Sequence, residues 1–103
     1  MITAIRSAEI HDGQVDKAFE WGVKVARYID ANIEGVSVEV LRSIGGSVFQ
    51  IHWMSRYQSL AAFEQVWSRL ETDSGYRTLI AEARDQGLLI GASIEDNLFQ
   101  SVG

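Results

Sequence analysis

There is no cysteine in this sequence, which rules out a disulfide framework and a thiolate metal site and is in keeping with a cytoplasmic location. Histidine is nearly as scarce. His11 and His52 stand far apart, with neither H-x-H nor H-x-x-x-H spacing, so no metal site is expected. Basic residues are few and scattered: nine Lys and Arg against fourteen Asp and Glu give a formal net charge of −5. That balance opposes a phosphate backbone and makes nucleic acid a poor partner. No apolar run approaches the ~20 residues needed to span a bilayer, and no signal peptide opens the chain, so no membrane partner is expected. No serine sits in a G-x-S-x-G elbow, and the Gly45-Gly46 pair is too short to cradle a phosphate.

What remains is the composition of an ordinary soluble globular domain, 47% hydrophobic and 22% charged over 103 residues. One domain over residues 1–103 is expected, burying roughly two-thirds of the surface its unfolded chain exposes.

The stretch 2–10 is short, apolar and strand-like, and "HDG" breaks it. Asp12 is the expected N-cap of a long amphipathic helix over about 13–33, because Val15, Ala18, Phe19, Gly22, Val25, Ala26, Ile29 and Ile33 recur at helical spacing. "GVSVEVLRS" alternates strictly, and "SVFQIHWMS" reads as the strand that returns after a tight turn at Gly45 and Gly46. Ser59 is positioned to cap a helix carrying Leu60, Phe63, Trp67 and Leu70. Asp73 is positioned to cap a further helix that ends at Gly87. A last strand starts near Ser93. This order is a split βαβ arrangement with an extra helix. Right-handed crossovers then place the helices on one side of a four-stranded antiparallel sheet, an α+β ferredoxin-like fold.

A two-residue turn would pair Val40 with Ile51, Val38 with Trp53, Leu41 with Gln50 and Glu39 with His52. The valine face, with Phe49, Ile51 and Trp53, is expected under the helices. The other face would hold Leu41, Val48 and Met54 beside Glu39, Gln50 and His52. Arg6 is expected there too, because an unpaired guanidinium under helices costs several kcal/mol. So mixed a face calls for a cover. Trp21, Val25 and Tyr28 also form a second apolar stripe on the first helix, and the expectation is a homodimer.

The element order, with "SAEIHDG", "IHWMSRYQSLAAFEQVW" and "DSGYRTLIAEARDQG", resembles the dimeric α+β barrel superfamily over nearly the whole chain. Within it the pattern is most similar to NIPSNAP-like and antibiotic-biosynthesis-monooxygenase-like small domains. The resemblance implies two sheets closing face to face into a barrel, with a pocket inside it or between each sheet and its helices. The superfamily's haem-degrading pattern, a first-strand asparagine with a tryptophan and a second-helix histidine, is matched here by Trp67 alone, so haem degradation is not expected.

The constellation to single out is His52 with Glu39, a carboxylate that could hold one imidazole nitrogen and leave the other as a general base. Arg6, Gln50, Met54 and Tyr57 are the candidate substrate-binding residues, with Arg6 or Tyr57 stabilising an enolate oxygen and Arg56 near a pocket mouth. The bland reading makes Glu39 and His52 a structural cross-strand pair, His11 solvent-exposed, and Trp53, Trp67, Phe49 and Phe63 core residues. Two functions follow. One is a homodimeric binding domain for a small apolar or aromatic ligand, without catalytic motif or cofactor. The other is a cofactor-independent monooxygenase, or a cyclase or isomerase, with His52 as base.

Overall fold

The computed structural model describes residues 1–103. The chain runs β1 (Ile2–Glu9), α1 (Val15–Asn32), β2 (Ser37–Arg42), β3 (Gln50–Tyr57), α2 (Leu60–Thr72), α3 (Ser74–Gln86), a 3-10 turn (Gly91–Ser93) and β4 (Glu95–Gln100). All strand pairs are antiparallel, in the order β2-β3-β1-β4. With the helices on one face, this is the ferredoxin-like α+β fold. No helix is long and apolar enough to cross a membrane.

Local chemistry sets most helix ends. The Ser59 hydroxyl accepts from Ala62 N–H, the Asp73 carboxylate accepts from Tyr76 N–H, and Gly87 adopts the left-handed conformation that closes α3. The start of α1 differs from expectation. Its N-cap is Gln14, without a side-chain cap bond, and Asp12 is exposed. Gly13, at φ 76, separates Asp12 from the helix, so its carboxylate cannot serve the first turn.

The helix layer rests on β2 and β3. Ala18, Phe19, Trp21, Gly22, Val25, Ala26 and Ile29 are the buried positions of α1, with Ile51, Trp53 and Tyr57 beneath the helices. Ile51 and Leu88 are completely buried, and each contributes about 1.5–3 kcal/mol by leaving water. Contact is closest at Gly22, where a Cβ would stand 2.5 Å from Ile51 Cδ1 and 3.3 Å from Trp53 Cζ2. The Trp21 and Trp53 rings meet edge to face at 5.6 Å. Trp21 Nε1 donates to Leu79 O, and Tyr28 Oη donates to Asp73. The second stripe of α1 therefore packs within the chain, largely against α3, and is not surplus surface awaiting a partner.

The β2–β3 register is displaced by two residues from the expected one. Val40 faces Trp53, Leu41 faces His52 and Glu39 faces Met54. Residues 43–49 form a loop rather than a tight turn, because Gly46 alone of the glycine pair has positive φ, 78°, where a type I′ turn needs two such residues. Val48 and Phe49 lie in that loop, exposed at 53% and 58%, outside both strand and core. A two-residue shift leaves every side chain on its face, so alternation cannot detect it. Val38, Val40, Ile51 and Trp53 do lie toward the helices.

Candidate functional site

Even-numbered β1 residues pair with odd-numbered β3 residues: Ala4 with Ser55, Arg6 with Trp53, Ala8 with Ile51. Arg6 thus shares the helix face with Trp53 and Tyr57, contrary to expectation. The expected penalty assumed an unpaired guanidinium, and this one is paired. Across the β1–β4 ladder Arg6 stands opposite Asp96, with Arg6 Nε donating to Oδ1 at 2.7 Å and Nη2 to Oδ2 at 2.8 Å. Such a fork is the favoured geometry of a guanidinium with a carboxylate. The Trp67 ring lies over the guanidinium, 4.8 Å from centroid to Cζ. Each partner holds the other charged: Asp96 raises the Arg6 pKa, and Arg6 lowers that of Asp96.

This pair stands at one end of a cavity of about 810 Å³ between sheet and helices, within the usual range of ligand pockets. Of the 26 residues around it, 19 are hydrophobic, so an occupant must be largely apolar. The gap follows from the wedge shape of the chain: α1 touches β3 at Gly22, whereas every residue of β4 is exposed. Tyr57 and Tyr76 reach the same end, and burial pushes both phenols above their ordinary pKa. They are therefore hydrogen-bond donors at neutral pH. Phe63 packs edge to face on Tyr57 at 5.1 Å and on Trp67 at 6.3 Å, steadying both rings. Trp53 donates to Gly22 O and Trp21 to Leu79 O, while Trp67 turns its indole N–H to the Tyr57 oxygen.

The other candidates face away. Gln50, His52, Met54 and Glu39 belong to the uncovered face of the sheet, as does exposed Arg56. Glu39 is exposed and faces Met54, so the expected Glu39–His52 pair does not form. His52 Nδ1 instead lies 2.6 Å from Ser7 Oγ on β1. A serine hydroxyl cannot stabilise an imidazolium as a carboxylate would, and His52 does not line the large cavity. Gln50 lines a smaller hollow of about 500 Å³ with Ser7, Glu9 and Glu95. His11 is exposed at the rim of the large cavity. Trp67 is only half-buried, being cavity wall as well as core.

Sequence reasoning missed Asp96 and Tyr76. The available signal for Asp96 is the adjacent acids Glu95 and Asp96 in "SIEDNLFQ", of which alternation puts one on the face of Arg6, the one arginine of the first strand. Nothing in the spacing of Tyr76 sets it apart from Leu79, Ile80 and Ala83 on the same helix.

No family model and no curated protein matches this chain by sequence. The fold has many solved counterparts. A NIPSNAP domain protein from Burkholderia xenovorans superposes with a TM-score of 0.79 at 14% identity, over 99% of this chain and 95% of its own. SnoaB, a cofactor-independent oxygenase from Streptomyces nogalater, gives 0.69 at 15% identity, over 99% and 93%. An antibiotic biosynthesis monooxygenase gives 0.73 at 9% identity, over the whole of both chains. The chain shares its ferredoxin-like α+β fold with these proteins.

Proposed function

We propose that this chain is a small-molecule-binding domain that works as a homodimer, with its ligand in the cavity between sheet and helices. The observation that carries the reading is the cavity itself, about 810 Å³ and mostly apolar, with Arg6, Trp67, Tyr57 and Tyr76 gathered at one end. The ligand is a small apolar or aromatic molecule. Arg6 and Tyr57 bind its polar end. The lack of cysteine is in keeping with a cytoplasmic setting.

The uncovered face of the sheet supports the dimer. Ile5 and Met54 stand side by side, with Leu41 and Phe99 nearby and the Ser7–His52 pair among them. Glu9, Arg56 and Glu95 are exposed at the margins. An apolar centre with a charged rim is the make-up of an interface. In this assembly Gln50, His52, Met54 and Glu39 face the twin subunit.

Two measurements test the reading. N-phenyl-1-naphthylamine, whose fluorescence rises in apolar surroundings, should bind saturably, and Ile80→Trp, which fills the cavity from α3, should abolish binding while circular dichroism is preserved. Binding that is absent, or indifferent to Ile80→Trp, removes the ligand site. Sedimentation equilibrium at micromolar concentration should give twice 11.5 kDa, and a species of 11.5 kDa alone removes the dimer.

A further inference from the structure

The geometry points to a charge filter: the Arg6–Asp96 pair makes the cavity select neutral ligands that carry a hydrogen-bond acceptor over their carboxylate counterparts. This inference rests on the cavity being the ligand site.

A lone arginine at the end of an apolar cavity would attract an anion and bind its carboxylate with both arms. Here Asp96 already forks onto Arg6 Nε and one N–H of Nη2 at 2.7 and 2.8 Å, leaving only the end-on edge of the guanidinium and cancelling its charge. The pair is neutral as a unit, so an incoming anion gains little attraction from Arg6 and meets the charge of Asp96. It would also lose its own hydration in a mostly apolar space.

The donors that remain meet only the phenolic oxygens of the two tyrosines: Trp67 reaches Tyr57, and Arg6 reaches Tyr76. Both N–H groups of Arg6 Nη1 are outside the fork to Asp96. Tyr57 and Tyr76 keep their own phenolic protons to donate. The only carboxylate lining the cavity is that of Asp96, and Arg6 holds both its oxygens. A site rich in donors and poor in free acceptors is satisfied by carbonyl oxygens. The other basic side chains around the cavity, His11 and Arg84, are exposed at its rim, where water screens them.

The matched probes are 2-acetylanthracene and anthracene-2-carboxylate, which share ring and carbonyl and differ in charge. Their affinities are read by tryptophan quenching against wild type, Asp96→Asn, Glu95→Gln and Ile80→Trp. Wild type should prefer the ketone by at least about tenfold, and Asp96→Asn, which frees the fork of Arg6, should cut that preference by at least about tenfold. Glu95→Gln removes the same charge from the opposite face and should leave the preference in place, which separates a local filter from net charge. Should Asp96→Asn not fold, Arg6→Met serves instead: it should weaken the ketone and still exclude the carboxylate. Equal wild-type affinity for the two probes, or a preference unchanged in Asp96→Asn, overturns the filter while leaving the cavity as a ligand site. Failure of the ketone to bind wild type, or binding indifferent to Ile80→Trp, removes the ligand site and the filter with it.

Discussion

The two faces of this one sheet treat charge in opposite ways. On the helix face the charged strand pair is Arg6–Asp96, forked, with an indole ring over the cation. On the uncovered face Glu9, Glu39, Arg56 and Glu95 project without an ion-pair partner, and the paired polar groups are Ser7 and His52. The same ladder therefore teaches two rules. A charge enters an apolar layer when a neighbouring strand supplies its counter-charge. On a face left to water, or to a twin, charges stay at the margin and uncharged groups hold the middle.

Substitutions that break this contrast rank by how much packing they remove. Ile51→Ala, beneath α1, should destabilise the chain by about 2–5 kcal/mol in urea unfolding. Gly22→Ala tests the same contact from above. Its methyl would meet Ile51 Cδ1 at 2.5 Å, and buried Ile51 has little room to yield, so overpacking of about 1–3 kcal/mol should outweigh the helix-propensity gain of up to about 1 kcal/mol. Met54→Lys, in the middle of the uncovered face, should leave the fold intact by circular dichroism and weaken the dimer by at least about tenfold in sedimentation. A monomeric wild type would erase that difference between the faces.

The smallest effect concerns acid. Tyr28 lowers the Asp73 pKa below its ordinary 3.8 by donating a hydrogen bond to it. A depressed carboxylate contributes stability above its unfolded value that is lost as pH falls through the folded one. Tyr28→Phe should therefore lower stability near neutrality and shrink the further loss below about pH 3.8, so that the two proteins converge in acid, which urea unfolding at a series of pH values would detect.

Much of this architecture was legible because periodicity and capping are local. The heptad-like stripe of α1, Ser59, Asp73, Gly87 and the alternation of β2 each point to one structure on their own. What could not be read depended on partners far along the chain. Glu39 missed His52 because a slip of two residues preserves both faces, and the glycine pair gave the wrong turn. Arg6 was assigned to the wrong face because its partner lies 90 residues away, on a final strand whose register no neighbouring motif announces. Tyr57 came to the cavity because β3 extends two residues beyond the strand's expected end at Ser55.

The wedge between helices and sheet has a consequence for traffic. α1 presses on β3 through Gly22, while the far margin, β4, hydrogen-bonds to β1 alone among the strands. A molecule would enter sideways past that margin, and one wider than the gap could enter only if the outermost ladder lifted. Amide protons along Glu95–Gln100 would then exchange faster during entry and more slowly once the visitor had settled.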